Sequence, residues 1–416
     1  MPRVMLVLPT ETYRATAFLR AAEELGLDVV VASNEAPTLA TLMEGRILTL
    51  DLQRPDESAA RALRFAARWP VDAVVGVDEL SVVTAANIAE RLGVAHSNPV
   101  AAVQATRDKR LLRKRLTASG LVQPRVVEID ADADERMLDA AVRCTGLPCV
   151  IKPVDLAASR GVIRADSRAE VDSAVQRVGK LLRSICTDGA KPPMIVESYV
   201  DGAEIAVEGL VRAGQLEVIA LFDKPDPLTG PFFEESIYVT PSRLDAASQR
   251  AAIDAVSDAV SSLGLRDGPI HAEVRMRKGD PVVIEVAARS IGGLCSQVIR
   301  LVCGDAPDEV RSLENVILRQ ACGLPLGAIE RFDAASGVFM LPVPEAGVLG
   351  QVHGLDQAMS LPGITGVTIS VPPGERLTPL PEGDRYLGFI FARGDTPEAV
   401  EAALREAELH LSVDLS

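Results

Sequence analysis

Two acids, Glu273 and Glu285, stand among apolar neighbours in the stretch HAEVRMRKGDPVVIEVAARSIGG, which runs from His271 to Gly293. Two β-like runs, 271–277 and 281–288, flank the turn residues Lys278, Gly279 and Asp280. A two-residue turn at Gly279-Asp280 puts Glu273 opposite Val286, with Glu285 on the other face. A three-residue turn, 278–280, sets the two glutamates face to face, and only this register makes chemical sense of two acids, so it is the one expected. Facing carboxylates in a half-buried site repel unless a cation or a shared proton separates them. With no Cys or His cluster beside them, such hard oxygens suit Mg²⁺ or Mn²⁺. His271 and Arg275 share a face with Glu273 by the two-residue period, and Arg289 follows Glu285 by four. The plainer alternative is a surface hairpin with solvated acids.

Phosphate-binding chemistry is suggested further upstream. Lys152 interrupts the apolar run PCVIKPV (148–154), where an ammonium needs an anion to meet it. Ser159, Arg160 and Gly161 then offer a hydroxyl, a guanidinium and flexible backbone that could fold over phosphate oxygens. The spacing is not GxxxxGK[ST], which excludes the P-loop class. Glu197 and Glu204 bracket a strand–turn–strand whose middle, 198–200, could present backbone to a base edge, while Glu204 accepts from ribose hydroxyls. The competing reading makes both ordinary surface acids. The spacing predicts a basic helix over 106–119, holding Arg107, Lys109, Arg110, Arg113, Lys114 and Arg115. Such a run is usually a solvated face.

The elements around these residues divide the chain of 416 residues. Its first hundred residues alternate β-branched runs (4–8, 28–32, 47–50, 73–77) with helical stretches (13–25, 57–68, 81–92), the pattern of a parallel sheet covered on both faces. Asp78 and Glu79 follow the end of one such strand, where ligands of these sheets bind, and are candidate substrate contacts. No GxGxxG follows the first strand, which argues against a dinucleotide there. Asn98-Pro99 reads as a boundary. Residues 223–243 are Pro-rich yet hold Phe232, Phe233 and Tyr238, in a chain with only 3% aromatics; such loops often act as lids. From about Phe332 the short β runs and one helix suggest a small α+β module.

The formal net charge of −15 argues against nucleic acid or an anionic membrane as partner. Six scattered cysteines without CxxC spacing, and an opening apolar run too short for a signal peptide, predict a cytoplasmic protein.

The ordered series Lys109, VIKP (150–153), the small-residue loop, ESYVDGAE (197–204), HAEVR (271–275) and IEVAAR (284–289) resembles the ATP-grasp superfamily of ADP-forming ligases. The resemblance covers nearly the whole chain. It implies an α/β fold: an N-terminal doubly wound α/β domain (1–105), an ATP-grasp domain (106–330, small ATP-clamping lobe about 124–200), and a C-terminal α+β module (331–416) like that of bacterial L-amino acid ligases. By the same resemblance Lys109 and Lys152 hold ATP phosphates, with Ser159, Arg160 and Gly161 in the mobile loop. Glu197 and Val200 form the adenine hinge, and Glu204 accepts from the ribose. Glu273 and Glu285 hold Mg²⁺ or Mn²⁺, Arg289 meets the γ-phosphate and substrate carboxylate, and Ser290, Gly292 and Gly293 belong to the substrate loop. His271 is a further catalytic candidate, with a structural role as its alternative.

Many relatives carry Asn two residues after the second acid; here that position is Ala287, which leaves a second metal short of a protein ligand. The implied reaction joins a small-molecule carboxylate and an amine, of amino-acid type, into an amide through an acyl phosphate, in a homodimer. Alternatives are an ATP-grasp carboxylase or nucleotide-biosynthesis ligase, and a non-catalytic ATP-binding regulatory protein.

Overall fold

Strands Arg3–Val7, Asp28–Ser33, Ile47–Thr49 and Ala73–Gly76 are wholly parallel, in the spatial order third, second, first, fourth. The computed structural model describes residues 1–36, 43–185, 192–332 and 334–416. The first strand shows why the sheet is covered twice. Val4 and Leu6 pack on one face with Phe18 and Ala21 of helix Ala15–Glu24. Met5 and Val7 pack on the other with Ala59 and Ile88, from helices Pro55–Ala66 and Val82–Leu92. Full burial of each such side chain contributes roughly 1.5–3 kcal/mol.

The basic segment is two helices rather than one. Val100–Arg107 ends at Asp108, whose backbone is extended and whose carboxylate accepts from the amides of Arg110 and Leu111, capping Lys109–Ala118. Aspartate is a strong N-cap, so the break falls where the sequence places it. Lys109 thereby becomes the first helical residue, with its N–H donating to Val154 O at 3.1 Å. Nor is the face simply solvated: Arg113 is 1% exposed.

A four-stranded antiparallel sheet follows, ordered Val126–Asp130, Pro193–Ser198, Cys149–Pro153, Ile163–Ala165. Helices Glu135–Thr145 and Arg168–Ile185 cover it through Leu138, Ala141, Val171 and Val178. This is the small lobe. The large lobe is built on an eight-stranded sheet: Asp280–Ala287, Gly268–Arg277, Ala203–Arg212, Gln215–Asp223, Ile237–Thr240, Ala335–Leu341, Gly388–Gly394, Ile364–Ile369. The last three strands belong to the expected C-terminal module, so the sheet runs unbroken across that boundary. Within the expected lid, Tyr238 is a sheet residue of strand Ile237–Thr240, and the loop is 224–236, with 241–243 irregular beyond the strand.

Among the described residues the cysteines, Cys144, Cys149, Cys295, Cys303 and Cys322, are free; Cys186 lies outside those residues. Among them, no helix is long and apolar enough to cross a membrane.

Candidate active site

The hairpin's register places Glu273 directly opposite Glu285. The route differs from the expected three-residue turn. Arg277 pairs with Asp280, so the turn is the two residues Lys278-Gly279, at φ 54° and 92°. Two positive φ values suit the tight turns that join twisted strands. From Val274↔Val283 the register shifts, and Ile284 is the extra residue that brings Glu285 across from Glu273. A β-bulge leaves its extra residue unpaired on the ladder. Here Arg113 reaches in, its guanidinium donating to Ile284 O at 2.7 Å and Val283 O at 3.1 Å.

The same guanidinium binds Glu197, 84 residues away, through Nε at 2.5 Å. The other Glu197 oxygen lies 2.7 Å from Lys152 Nζ. Burial pushes the Glu197 carboxyl up, but Arg113 and Lys152 outweigh it and hold its pKa at about 2. Glu197 therefore aims Lys152, and its carboxylate is already taken up by the two cations. Val200 lines the cleft, its carbonyl accepting from Arg275 at 2.7 Å. Lys109 Nζ donates to Leu156 O at 2.8 Å and lies 3.8 Å from Glu285.

Glu273 faces a cluster that the sequence did not reveal. Lys224 Nζ lies 2.6 Å from Glu204, 2.5 Å from Glu235 and 3.0 Å from Glu273. Glu204, Glu235 and Glu273 each offer an oxygen within 4.8 Å of the others. Burial and the Glu273 charge push the Glu235 carboxyl up to about 7 against the pull of Lys224. Glu273 goes the other way: burial raises it, but Lys224 and His271 hold it well below the usual carboxylate range. The three carboxylates are hard oxygen donors of the kind a divalent metal takes, but the Lys224 ammonium sits among them, and Glu285 is not one of the three. Glu204 is less free for a ribose than expected, because its second oxygen accepts from Arg275 Nε at 2.7 Å.

His271 bonds Glu208 through Nδ1 and lies 3.5 Å from Glu273 through Nε2. Burial works against its charged form, but the Glu208 charge and hydrogen bond outweigh it and raise its pKa to about 9. Glu208 also accepts from the Ile291 N–H at 2.9 Å, tying the ring to the loop at 290–293. Arg289 donates to Glu79 at 2.5 Å, and Arg107 holds that carboxylate from the other side at 2.9 Å. Burial raises Glu79, yet the two arginines bring its pKa down to about 2.

All the expected site residues except Arg160, Gly161 and Ser290 line one cleft of about 230 Å³. Asp78 accepts from the Thr12 hydroxyl at its edge. Ser290 is 2% exposed and its hydroxyl accepts from Arg14, so it ties the loop at 290–293 to the residue preceding helix Ala15–Glu24 instead of lining the cleft. Arg160 and Gly161 turn toward the C-terminal module. One region of the cleft wall is apolar and aromatic: Tyr13, Tyr238, Ile291, Cys295, Met340 and Tyr386. Lys224, Glu235, Glu208 and Arg113 were missed because each is fixed by a distant partner. The only hint was the lysine and paired acids inside the 223–243 loop.

Three family models match in order: an ATP-grasp N-terminal domain at 19–96, an ATP-grasp domain at 145–298, and an L-amino acid ligase C-terminal domain 2 at 339–416. The chain is 28% identical to alanine–anticapsin ligase of Bacillus subtilis over 299 residues, 68% of this chain and 61% of that protein. It thus spans about three fifths of the length of the curated relative it matches. The crystal structure of an L-amino acid ligase from Bacillus licheniformis superimposes with a TM-score of 0.80 at 26% identity, over 100% of this chain and 99% of that one. A carboxyaminoimidazole ribonucleotide synthase from Aspergillus clavatus, solved with ATP, shares the fold at a TM-score of 0.70 and 16% identity, over 98% of this chain and 97% of that one.

Proposed function

This chain, with its ATP-grasp fold and L-amino acid ligase-type C-terminal domain, belongs to the ATP-grasp superfamily, and we propose that it is an ADP-forming carboxylate–amine ligase. The observation that carries the reading is the convergence of Lys109, Lys152, Glu273, Glu285 and Arg289 on one cleft between the two lobes. The lysines come from different elements, and each is already oriented by a fixed acceptor.

In this reading Lys109 and Lys152 bind the ATP phosphates, with the base against the backbone near Val200. Glu273 and Glu285 hold Mg²⁺ or Mn²⁺, which when bound neutralises phosphate charge. Arg289 orients the substrate carboxylate for in-line attack on the γ-phosphorus. An O–P bond forms, the bond to the β–γ bridging oxygen breaks, and ADP leaves. Arg289 and Lys152 stabilise the charge that moves onto the transferred group. The amine then attacks the acyl carbon, phosphate departs, and the amine's proton is lost to leave the amide. Water must be kept out, because it would hydrolyse the acyl phosphate. Phe233 and the loop before Ile237 cover the cleft on that side. Protonated His271, held by Glu208, keeps the substrate loop in register.

The substrates are an amino-acid-like carboxylate and an amine, one carrying an apolar side chain that fits among Ile291, Cys295, Met340 and the three tyrosines. That apolar wall also disfavours a carboxylase, whose bicarbonate has nothing to place there. A purely regulatory ATP binder has no need of the paired acids and Arg289. We further place the protein in the cytoplasm as a homodimer, on its scattered free thiols and its family; light scattering tests the dimer. The deciding experiment screens pairs of amino acids for phosphate release with ATP and Mg²⁺. Release that needs both a carboxylate and an amine supports the ligase. ATP binding without release by any pair overturns it.

A further inference from the structure

The phosphate loop is held by a segment of the C-terminal module. Ala158 and Ser159 both adopt left-handed backbone, at φ 55° and 54°, and Gly161 follows at 72°. A Cβ at Gly161 would come within 2.7 Å of Pro153 Cγ, so glycine alone fits there. Two consecutive left-handed non-glycine residues persist only where their surroundings over-determine them. Those surroundings come from residues 379–386. The Gly161 N–H donates to Pro381 O at 2.8 Å, Arg160 Nε donates to Glu382 O at 2.9 Å, and another guanidinium nitrogen of Arg160 lies 3.1 Å from Asp384. On helix Arg168–Ile185, Arg177 meets the Glu382 carboxylate through two bonds of 2.6 and 2.8 Å.

The gripping loop is itself tightly made. The Gly383 N–H donates to Pro379 O at 2.9 Å, and a Cβ at Gly383 would lie 2.0 Å from Thr378 O. The same loop sets Asp384 and Tyr386 on the cleft wall. A rigid segment therefore touches the small lobe on one side and the cleft on the other.

We propose that Glu382 and Asp384 are positioning residues that set the phosphate loop, so that the C-terminal module forms a third wall of the nucleotide site. The nucleotide part rests on reading the cleft as an ATP site; the hold on the loop does not. Half-exposed ion pairs contribute little to global stability, but a bidentate pair fixes direction. The effect therefore falls on loop order and nucleotide affinity rather than on the melting temperature.

The test is a charge exchange: Arg177→Glu, Glu382→Arg, and the two together. Hydrogen exchange of amides 157–162 and binding of ATP with Mg²⁺ are both measured. Each single variant should exchange at least ~10-fold faster over 157–162 and bind ATP about 3- to 10-fold more weakly. The double variant should recover both. Asp384→Asn should speed exchange in the same window. Unchanged exchange in the single variants, or no recovery in the double, overturns the proposal. So does faster exchange spread over the whole chain with a falling melting temperature, which would make the pair merely structural. If the wild type binds no ATP, the exchange measurement still decides the hold on the loop, and the ligase reading is what falls.

Discussion

Arg113 and Glu197 form a buried ion pair that connects the two ends of the cleft, with Arg113 capping the carbonyls of the Ile284 bulge and Glu197 aiming Lys152. Placement of Glu285 and of Lys152 thus depends on one pair of side chains.

Removing one member should be costly. Glu197→Gln leaves the Arg113 charge buried without its counter-ion, and breaking such a pair typically costs about 3–5 kcal/mol. Urea denaturation reads the loss directly. A variant with the wild-type midpoint would show that the pair is not a keystone.

The same pair sets an acid limit. The Glu197 pKa falls from 4.5 in the unfolded chain to about 2 in the native one. Between these values the unfolded chain binds more protons, so stability rises with pH. The contribution is complete above 4.5 and is lost as pH falls through about 2, and it is on the order of 3 kcal/mol. Glu79, also held at about 2, adds a second proton to the same window. Urea midpoints taken from pH 2.5 to 5 should show a slope that Glu197→Gln reduces by about one proton.

Glu285→Ala should abolish turnover, by at least about 100-fold, without disturbing the fold. Its nearest cation, Lys109, is 3.8 Å away, too long for a strong hydrogen bond. Phosphate release and Mn²⁺ binding by electron paramagnetic resonance check the two halves. A variant that keeps full activity would remove Glu285 from the metal site.

The apolar wall should decide side-chain preference. Met340→Ala enlarges it and should move selectivity toward bulkier side chains by roughly 10-fold or more, at about 2–5 kcal/mol of stability. Relative kcat/KM values across amino acids of graded size give the measurement, and an unchanged ranking would place substrate elsewhere.

Residue type alone betrayed much of this site. An ammonium in an apolar strand and two acids in a half-buried hairpin are costly unless they meet partners, so Lys152, Glu273 and Glu285 could be picked out at once. The facing of the two acids was anticipated, but its cause was not. A bulge leaves no mark that separates it from an odd-numbered turn, and Ile284 looks like any strand residue. Lys224 and Glu235 were hidden for another reason. Their surroundings are assembled from Glu204 and Glu273, 20 and 49 positions away from the lysine, and no local period reports such distances. Arg113 was lost in a basic helix because only the three-dimensional packing separates its inward-facing charge from the outward ones.

The unbroken eight-stranded sheet bears on how this protein can be engineered. All residues of Ile237–Thr240 are buried; the strand pairs with Ala335–Leu341 at four positions, and one pair joins it to Gln215–Asp223. Cutting the chain near 331 would strip that strand of its main neighbour and leave an apolar edge open to other chains. Shuffling C-terminal modules between such enzymes as cassettes should therefore give insoluble product. A workable chimera would move the crossover into the loop that follows Asp223, so that donor and recipient meet outside a strand and the graft carries Ile237–Thr240 together with Ala335–Leu341.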